Sequence, residues 1–582
     1  MIKVGSILLK TRYWLMVVFA IKFFQVQAGV LEVGPGKAYS SPAQAAQVAI
    51  PGDTILIFPN IYTGNQYIFN LHGTAGQPIV FMGTDVNQVI FSGGLQGMHL
   101  SQVSYIELHH LSFTQHTGNG LNIDDAGTFD TPSHHIRIIH CRFYEMGAQG
   151  NNDFLKLSGI DHFEVVNCTF SQGAAGGSGI DMVGCHHGII HKNEFHTMGS
   201  NSIQAKGGTQ FIAIFQNRFE DGGQRTLNLG GSTGLAYFRP QDAPFEAADL
   251  DVYANVFIRS WAPIAYVGSV RVRVTNNTLV DPQNWVIRIL QETVDPERFL
   301  PCGDNEFVNN IIYYNYTRNI STHVNIGPNT DPQSFTFSNN LWYNHNNLLQ
   351  SAPNLPVIEP NGIYGLTPEF IHLANGNFRL NSSSPAINSG HESEFAIDFD
   401  GFFRPDGMAT DIGAFEYLNT PEMIEINGNQ WVCLTCLNQH YQAMSSYGHH
   451  FLWNVEGGII QGVNSDSMVA IEWDAESAEH MLEVTPFSIN GVAGDPIFIL
   501  IQLQEEGLVQ WIGEDPSWLN RKNWLPATLP QGCHTVIIDD SGQYEHPVIP
   551  SDAVIYIKRL EIRNNKTLLI QSGGVLEITG KE

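Results

Sequence analysis

Between residues 105 and 342 the chain repeats one short pattern: a β-branched or aromatic residue, a small polar residue, a variable residue, then Phe or another large apolar side chain. Ile139-His140-Cys141-Arg142-Phe143, Val166-Asn167-Cys168-Thr169-Phe170, Phe215-Gln216-Asn217-Arg218-Phe219 and Tyr253-Ala254-Asn255-Val256-Phe257 are instances. The large apolar positions Phe143, Phe170, Phe195, Phe219, Phe257, Leu279, Ile312 and Trp342 are separated by 27, 25, 24, 38, 22, 33 and 30 residues. A floor near 22 with variable excess marks a solenoid whose loops are inserted on a fixed coil. Each coil has room for about three short strands.

Two further columns follow from that register. Asn193, Asn217, Asn255, Asn277, Asn310 and Asn340 recur one position apart from the repeat's core and predict an internal ladder, each amide bonding its neighbour on the next coil. Cys141 and Cys168 share the column and read equally as packed thiols or a disulfide. After each Phe position comes a second strand: Leu121-Asn122-Ile123-Asp124, Leu155-Lys156-Leu157-Ser158, Ile180-Asp181-Met182-Val183, Ile203-Gln204-Ala205-Lys206, Leu227-Asn228-Leu229-Gly230, Ile264-Ala265-Tyr266-Val267, Ile287-Arg288-Ile289-Leu290. Period-two alternation turns the second and fourth residues outward. One outward column therefore reads Asn122, Lys156, Asp181, Gln204, Asn228, Ala265, Arg288, and the other Asp124, Ser158, Val183, Lys206, Gly230, Val267, Leu290. The predicted fold is all-β, a right-handed parallel β-helix followed by smaller β modules.

Composition agrees. At 582 residues the chain exceeds one ordinary core, and charged residues are only 14% of it. The net charge of −28 argues against nucleic acid, which needs clustered Lys and Arg, and leaves an anionic polysaccharide only a locally basic site. Lys3, Lys10 and Arg12, the apolar run Tyr13 to Ile21 and Val26-Gln27-Ala28 have the layout of a secretory signal peptide over 1–28; nothing later reads as transmembrane. A secreted or cell-surface monomer is expected. Of the seven cysteines, Cys433-Leu434-Thr435-Cys436 suggests a zinc half-site or redox pair, but without a second ligand pair a tight loop disulfide is the better reading.

Residues 29–418 form the solenoid unit. Ala45, Ala46, Val48 and Ala49 predict a helical cap at its open end, before a strand at Thr54-Ile55-Leu56-Ile57. Ser384-Pro385-Ala386-Ile387-Asn388-Ser389-Gly390, Asp398 to Pro405 and Asp411-Ile412-Gly413-Ala414-Phe415-Glu416 resemble the choice-of-anchor Q motif, which closes parallel β-helix proteins of exported bacterial origin. There Arg404 is expected to pair with a carboxylate and seal the last coil, with Asp398, Asp400 and Asp411 as an alternative calcium set. Residues 421–503 resemble the immunoglobulin-like modules appended to secreted Bacteroidetes proteins, and 508–582 a second β-rich appendage, ending abruptly as a chain lacking a C-terminal sorting segment would.

Ala205-Lys206-Gly207-Gly208, Arg225 to Gly234 and Phe238-Arg239-Pro240 resemble bacterial pectate-lyase-like β-helix proteins labelled polysaccharide-degrading. Lys206 ends its strand as the base lysine does in the alginate lyase and chondroitinase B family, which removes the proton beside a uronate carboxylate. The resemblance implies Lys206 as base and Arg225 as neutraliser of that carboxylate although it precedes its strand; Asp181, on the same outward face, is a third catalytic candidate. Lys156, Gln204, Asn228, Arg239 and Arg288 would bind the polysaccharide. The hydrolase version of the fold needs grouped aspartates, and Asp124, Asp125, Asp153 and Asp181 fall on three coils. His186, His187, His191 and His196 should spread over different faces rather than hold metal, and Gly230-Gly231-Ser232-Thr233-Gly234 is a turn rather than a phosphate cradle, since no helix follows. The competing reading is a carbohydrate-binding adhesin without catalysis.

Overall fold

The computed structural model describes residues 28–148, 150, 152–315, 323–539, 544 and 546–580. The expected signal peptide lies outside them except for Ala28. Among the described residues no helix is long and apolar enough to cross a membrane.

A short helix, Pro42–Ala46, opens the solenoid; the Ser41 Oγ caps it by accepting from the Gln44 N–H, and Ala45 packs into the first coil. The chain then winds through three parallel sheets of 13, 12 and 10 strands, the right-handed parallel β-helix expected from the repeat. One coil in the middle shows the order: Ile160–Val166 in the first sheet, Thr169–Ser171 in the second, Ser178–Val183 in the third. The predicted Phe column is the inward row of the second sheet. From Phe91 to Phe257 its rings stack with centroids 4.7–5.3 Å apart, close to the strand spacing.

The bends are made by single residues in the left-handed region. His140, Asn167, Lys192, Gln216, Ala254, Asn276, Asn309 and Asn339 all have φ between 51° and 57°. Such a conformation costs a non-glycine residue on the order of 1 kcal/mol, so something on each coil must hold it. The residue immediately after each bend does so. Asn193, Asn217, Asn255, Asn277 and Asn310 each donate from Nδ2 to the Oδ1 of the next ladder Asn at 3.0–3.1 Å, and the same Oδ1 accepts the donor residue's backbone N–H. Cys141 and Cys168 continue the row as buried free thiols, the Cys168 N–H donating to Asn193 Oδ1 at 2.9 Å.

The segment after the last coil departs from expectation. Arg404 does pair in the interior, with Glu416 at 2.9 Å, and donates to the carbonyls of Asp411 and Gly413. But the segment does not seal the end. It runs back as a strap along the corner between the first and second sheets, because the side chains of the bend residues point outward there and bond its backbone. Asn339, Asn309, Asn276 and Gln216 donate to the carbonyls of Ser389, His391, Asp411 and Asp398. The expected calcium set is used differently as well. Both oxygens of Asp398 and of Asp411 accept backbone N–H groups, and Asp400 is held by Arg379, so these residues do not fit a calcium ion.

Beyond the strap, four- and three-stranded antiparallel sheets enclose Tyr441, Trp453 and Trp473. A following unit of parallel pairs, such as Val509↔Val536↔Leu560, encloses Trp511, Trp518 and Trp524. Cys433 is bonded to Cys533, 100 residues away, and not to Cys436, which is exposed; the expected tight-loop disulfide is replaced by a staple between the two units.

The ladder gives the first prediction. Asn255→Ala removes three ladder bonds, one donated to Asn277 and two accepted from Asn217, and strands the backbone carbonyls of Ile214 and Tyr253 that Nδ2 reaches at 2.8 and 2.9 Å. Unpaired buried groups cost about 1–3 kcal/mol each, so the urea midpoint should fall by an amount equivalent to roughly 3 kcal/mol or more. A loss below about 1 kcal/mol would show that the ladder does not hold the bends.

Candidate functional site

The third sheet positions the candidate site. Its register joins Tyr67, His99, Asn122, Lys156, Asp181, Gln204, Asn228, Ala265, Arg288 and Asn325 into one outward row, which includes the whole column read from the sequence. Outward does not mean exposed here. Asp181, Gln204, Lys206 and Asn228 are buried: the loop 231–246, inserted in the 38-residue interval of the repeat, folds over Gln204 and Lys206, and the two lysines cover Asp181. Gly231 marks the closest approach: a Cβ there would meet Gln204 Nε2 at 2.8 Å.

Two side chains fasten that loop. The buried Glu246 carboxylate accepts from the Gly207 N–H at 3.0 Å, the Thr233 N–H at 2.9 Å, and the hydroxyls of Thr233 and Thr293 at 2.7 Å. The glycine-rich run is thus a turn that already holds an anion, supplied by the chain itself. Arg239 pairs with both oxygens of Asp161 at 2.6 and 2.7 Å and donates to the carbonyls of Gly184 and Phe129, fixing the loop to the neighbouring corner while lining the cleft beneath it.

Under the loop lies a charged cluster. Lys156 and Lys206 converge on one oxygen of Asp181, Lys156 in direct contact and Lys206 at 3.4 Å, and Lys156 also stands 3.6 Å from Asp153. Both carboxylates are essentially inaccessible, at 1% side-chain exposure, whereas Lys156 and Lys206 retain 21% and 10%. Burial pushes the Asp181 carboxyl up, but the two lysines outweigh it and hold it below its ordinary value. Asp153 goes the other way: burial, reinforced by the charge on Asp181, pushes it up to about 7 despite Lys156. Lys156 loses from burial but is held above its usual value by Asp181 and Asp153. With Asp153 neutral, the formal sum over Lys156, Lys206 and Asp181 is +1. The ammonium groups, not the carboxylates, face a cleft of about 570 Å³ lined by Asn122, Asp124, Asp125, Ser158 and Tyr237 besides the two lysines.

Arg225 is not where the resemblance implies. It precedes the strand Leu227–Gly230, at the end opposite Lys206, and Gly230 holds the position that would face Lys206. Its guanidinium turns over the same sheet face but reaches Asn228 Oδ1 at 3.3 Å and Glu292 at 2.7 Å, two strands or roughly 10 Å from Asp181. Arg288 lies near it, bonded to Asn325 at 3.1 Å and over the Trp285 ring; burial, then the charge of Arg225, lowers its pKa. The four clustered histidines disperse. His186 bonds the Gly208 carbonyl, His187 stacks between His162 and Phe211, His191 meets Glu164, and His196 meets Glu194. A divalent metal does not fit at Asp153 and Asp181, because lysine ammonium groups occupy the cation positions. Among the described residues, the grouping with metal-ligand spacing is Cys433, Cys533 and His534, whose cysteines are already a disulfide.

Glu246 and Tyr237 were missed by sequence reasoning because they stand in the inserted loop, and Asp161, on the first-sheet strand Ile160–Val166, because its partner Arg239 stands in that loop. The one available signal was the longest interval, 38 residues, which marks the coil bearing the covering loop.

No family model matches the chain, and no curated protein matches it. Solved structures that it resembles include pectate lyase Pel9A, 15% identical, covering 68% of this chain and 98% of that one at a TM-score of 0.39. An alginate lyase from Paenibacillus sp. str. FPU-7 is 15% identical over 52% of this chain and 97% of that one, TM-score 0.32. The catalytic domain of a GH87 α-1,3-glucanase is 12% identical over 53% and 69%, TM-score 0.30. At such distances the chemistry of the cleft rests on its own geometry.

Proposed function

We propose that the cleft binds an acidic, uronate-containing polysaccharide outside the cell and cleaves it by β-elimination. The supporting observation is the pair of ammonium groups that converge at the cleft floor over buried carboxylates, in a chain of net charge −28. Lys156 makes the closer pair with Asp181, which leaves Lys206, at 3.4 Å, as the amine able to turn toward substrate. In this reading Lys206 first gives its ammonium proton to solvent and then, as the free amine, takes the proton beside the uronate carboxylate. That electron pair forms the ring double bond, the glycosidic C–O bond breaks, and solvent protonates the departing oxygen. Lys156 neutralises the carboxylate in place of Arg225, while Gln204, Asn228, Arg225 and Arg288 bind sugars further along the row. Hydrolysis through Asp153 and Asp181 is the weaker alternative, since both lie beneath the lysines and out of reach of a glycosidic oxygen.

Incubation with a panel of uronate polysaccharides should generate the ultraviolet absorbance of an unsaturated product, and Lys206→Ala should lower that rate by roughly 10²–10⁴-fold. A silent panel, or full activity in the variant, would sink the lyase mechanism; retention of a polymer without cleavage would favour a binding protein.

The pH dependence has a definite sign. Asp153, pushed up to about 7, is neutral below that pH and leaves the cluster at +1; ionising above it brings the sum to zero. Retention of a polyanion in affinity electrophoresis should therefore weaken between about pH 6 and 8 in the wild type and stay level in Asp153→Asn. Equal slopes in the two proteins would remove Asp153 from the account.

A further inference from the structure

The outward row that carries Lys156 and Asp181 continues past the cleft toward the first coils, through Asn122 and His99 to Tyr67. The parallel row two residues on runs from Lys206 through Val183, Ser158, Asp124 and Ser101 to Phe69. Tyr67 and Phe69 thus stand side by side on the terminal strand Gln66–Phe69 of the third sheet, and among the described residues no loop covers them: Tyr67 is 44% exposed and Phe69 59%. Outward aromatic rings left uncovered are where grooves and binding surfaces are found.

Their geometry is held from one side. His99 lies edge-on to both rings, with centroids 5.9 Å from Tyr67 and 5.8 Å from Phe69. It is itself anchored by Asp124 Oδ2 at 2.6 Å, and Asp124 accepts further from the Ser101 hydroxyl at 2.5 Å. Asp124 and Asn122 also line the cleft, so the two rings are continuous with it through side chains that can bond sugar hydroxyls.

We propose that Tyr67 and Phe69 form a distal stacking subsite for the same polymer that the lysine cleft holds, which makes the protein selective for long chains. The proposal rests on the functional reading above for the identity of the polymer. Four strand spacings separate Tyr67 from Asp181, about 19 Å. A pyranose chain advances by nearly one strand spacing per sugar, so the ring faces would meet a sugar roughly four residues from the lysines. A sugar there offers its apolar face to the rings and its hydroxyls to His99 and Asp124. The occupant is the polymer and not a second copy of the chain, because the patch is in register with a polar cleft that only an extended ligand can follow.

The test uses the full chain and a Tyr67→Ala/Phe69→Ala double variant, with Tyr67→Trp/Phe69→Trp as the conservative control. Both native rings are exposed, so the variants should melt as the wild type does. Affinity electrophoresis in gels containing polygalacturonate, alginate or hyaluronate should show wild-type retention in at least one, about tenfold weaker retention in the alanine variant, and recovery in the tryptophan variant. On a polymer that is cleaved, KM should rise about tenfold with kcat unchanged, while KM for fragments of about three sugars or fewer should not move. Unchanged retention, equal loss on short fragments, retention in none of the gels, or a change of oligomeric state with the alanine substitutions would each overturn the subsite. Retention does not require turnover, so the subsite is decided even where no polymer is cleaved, and failure of the lyase reading remains a separate result.

Discussion

From Asn193 to Asn340 each coil of the solenoid is tied to the next by an amide whose one oxygen accepts two hydrogen bonds, from the side chain and the backbone of its neighbour. That interaction holds the strained bend before it, the bend sets the angle between the first and second sheets, and the resulting register sets which side chains share a row in the third. The cleft inherits its precision from this chain of dependence. A row spaced by the strand repeat brings Lys156, Asp181 and Lys206 into contact from three separate coils, with no local sequence signal beyond the periodicity.

The electrostatics of the cleft follow from burial more than from charge count. A protein this acidic would repel a polyanion over most of its surface at low ionic strength. Inside the cleft, however, two carboxylates compete for the same lysines, and excluding water makes it costly for both to ionise. Asp181, touched by both lysines, keeps its charge, and Asp153, touched by one, gives it up near neutrality. The buried cluster thereby keeps a positive charge at the cleft floor, because one of its two acids serves as a neutral neighbour.

What the sequence made legible was whatever the period carries. Residues within strands took the columns assigned to them from Asn122 to Arg288, and the Phe and Asn rows did likewise. Residues beside the strands were not legible. Arg225 lies in a turn, where side-chain direction is set by local partners such as Glu292 and not by alternation. Glu246 and Asp161 act through a loop whose path the repeat does not constrain. The Cys433–Cys533 bond joins positions 100 residues apart, and nearness in sequence favoured Cys436 instead. The closing segment was recognisable by its residues, but its course along the flank depends on bend side chains from four coils, a three-dimensional fact with no linear trace.

That course bears on how the molecule would carry load. The appended units meet the strap directly, through Asn490, which exchanges hydrogen bonds with the Phe403 backbone at 2.6 and 3.0 Å. A pull arriving through them enters a segment bonded lengthwise to the coils of Gln216, Asn276, Asn309 and Asn339. The force is then spread as shear over several coils at once, where a segment attached only at the last coil would peel the solenoid open one turn at a time.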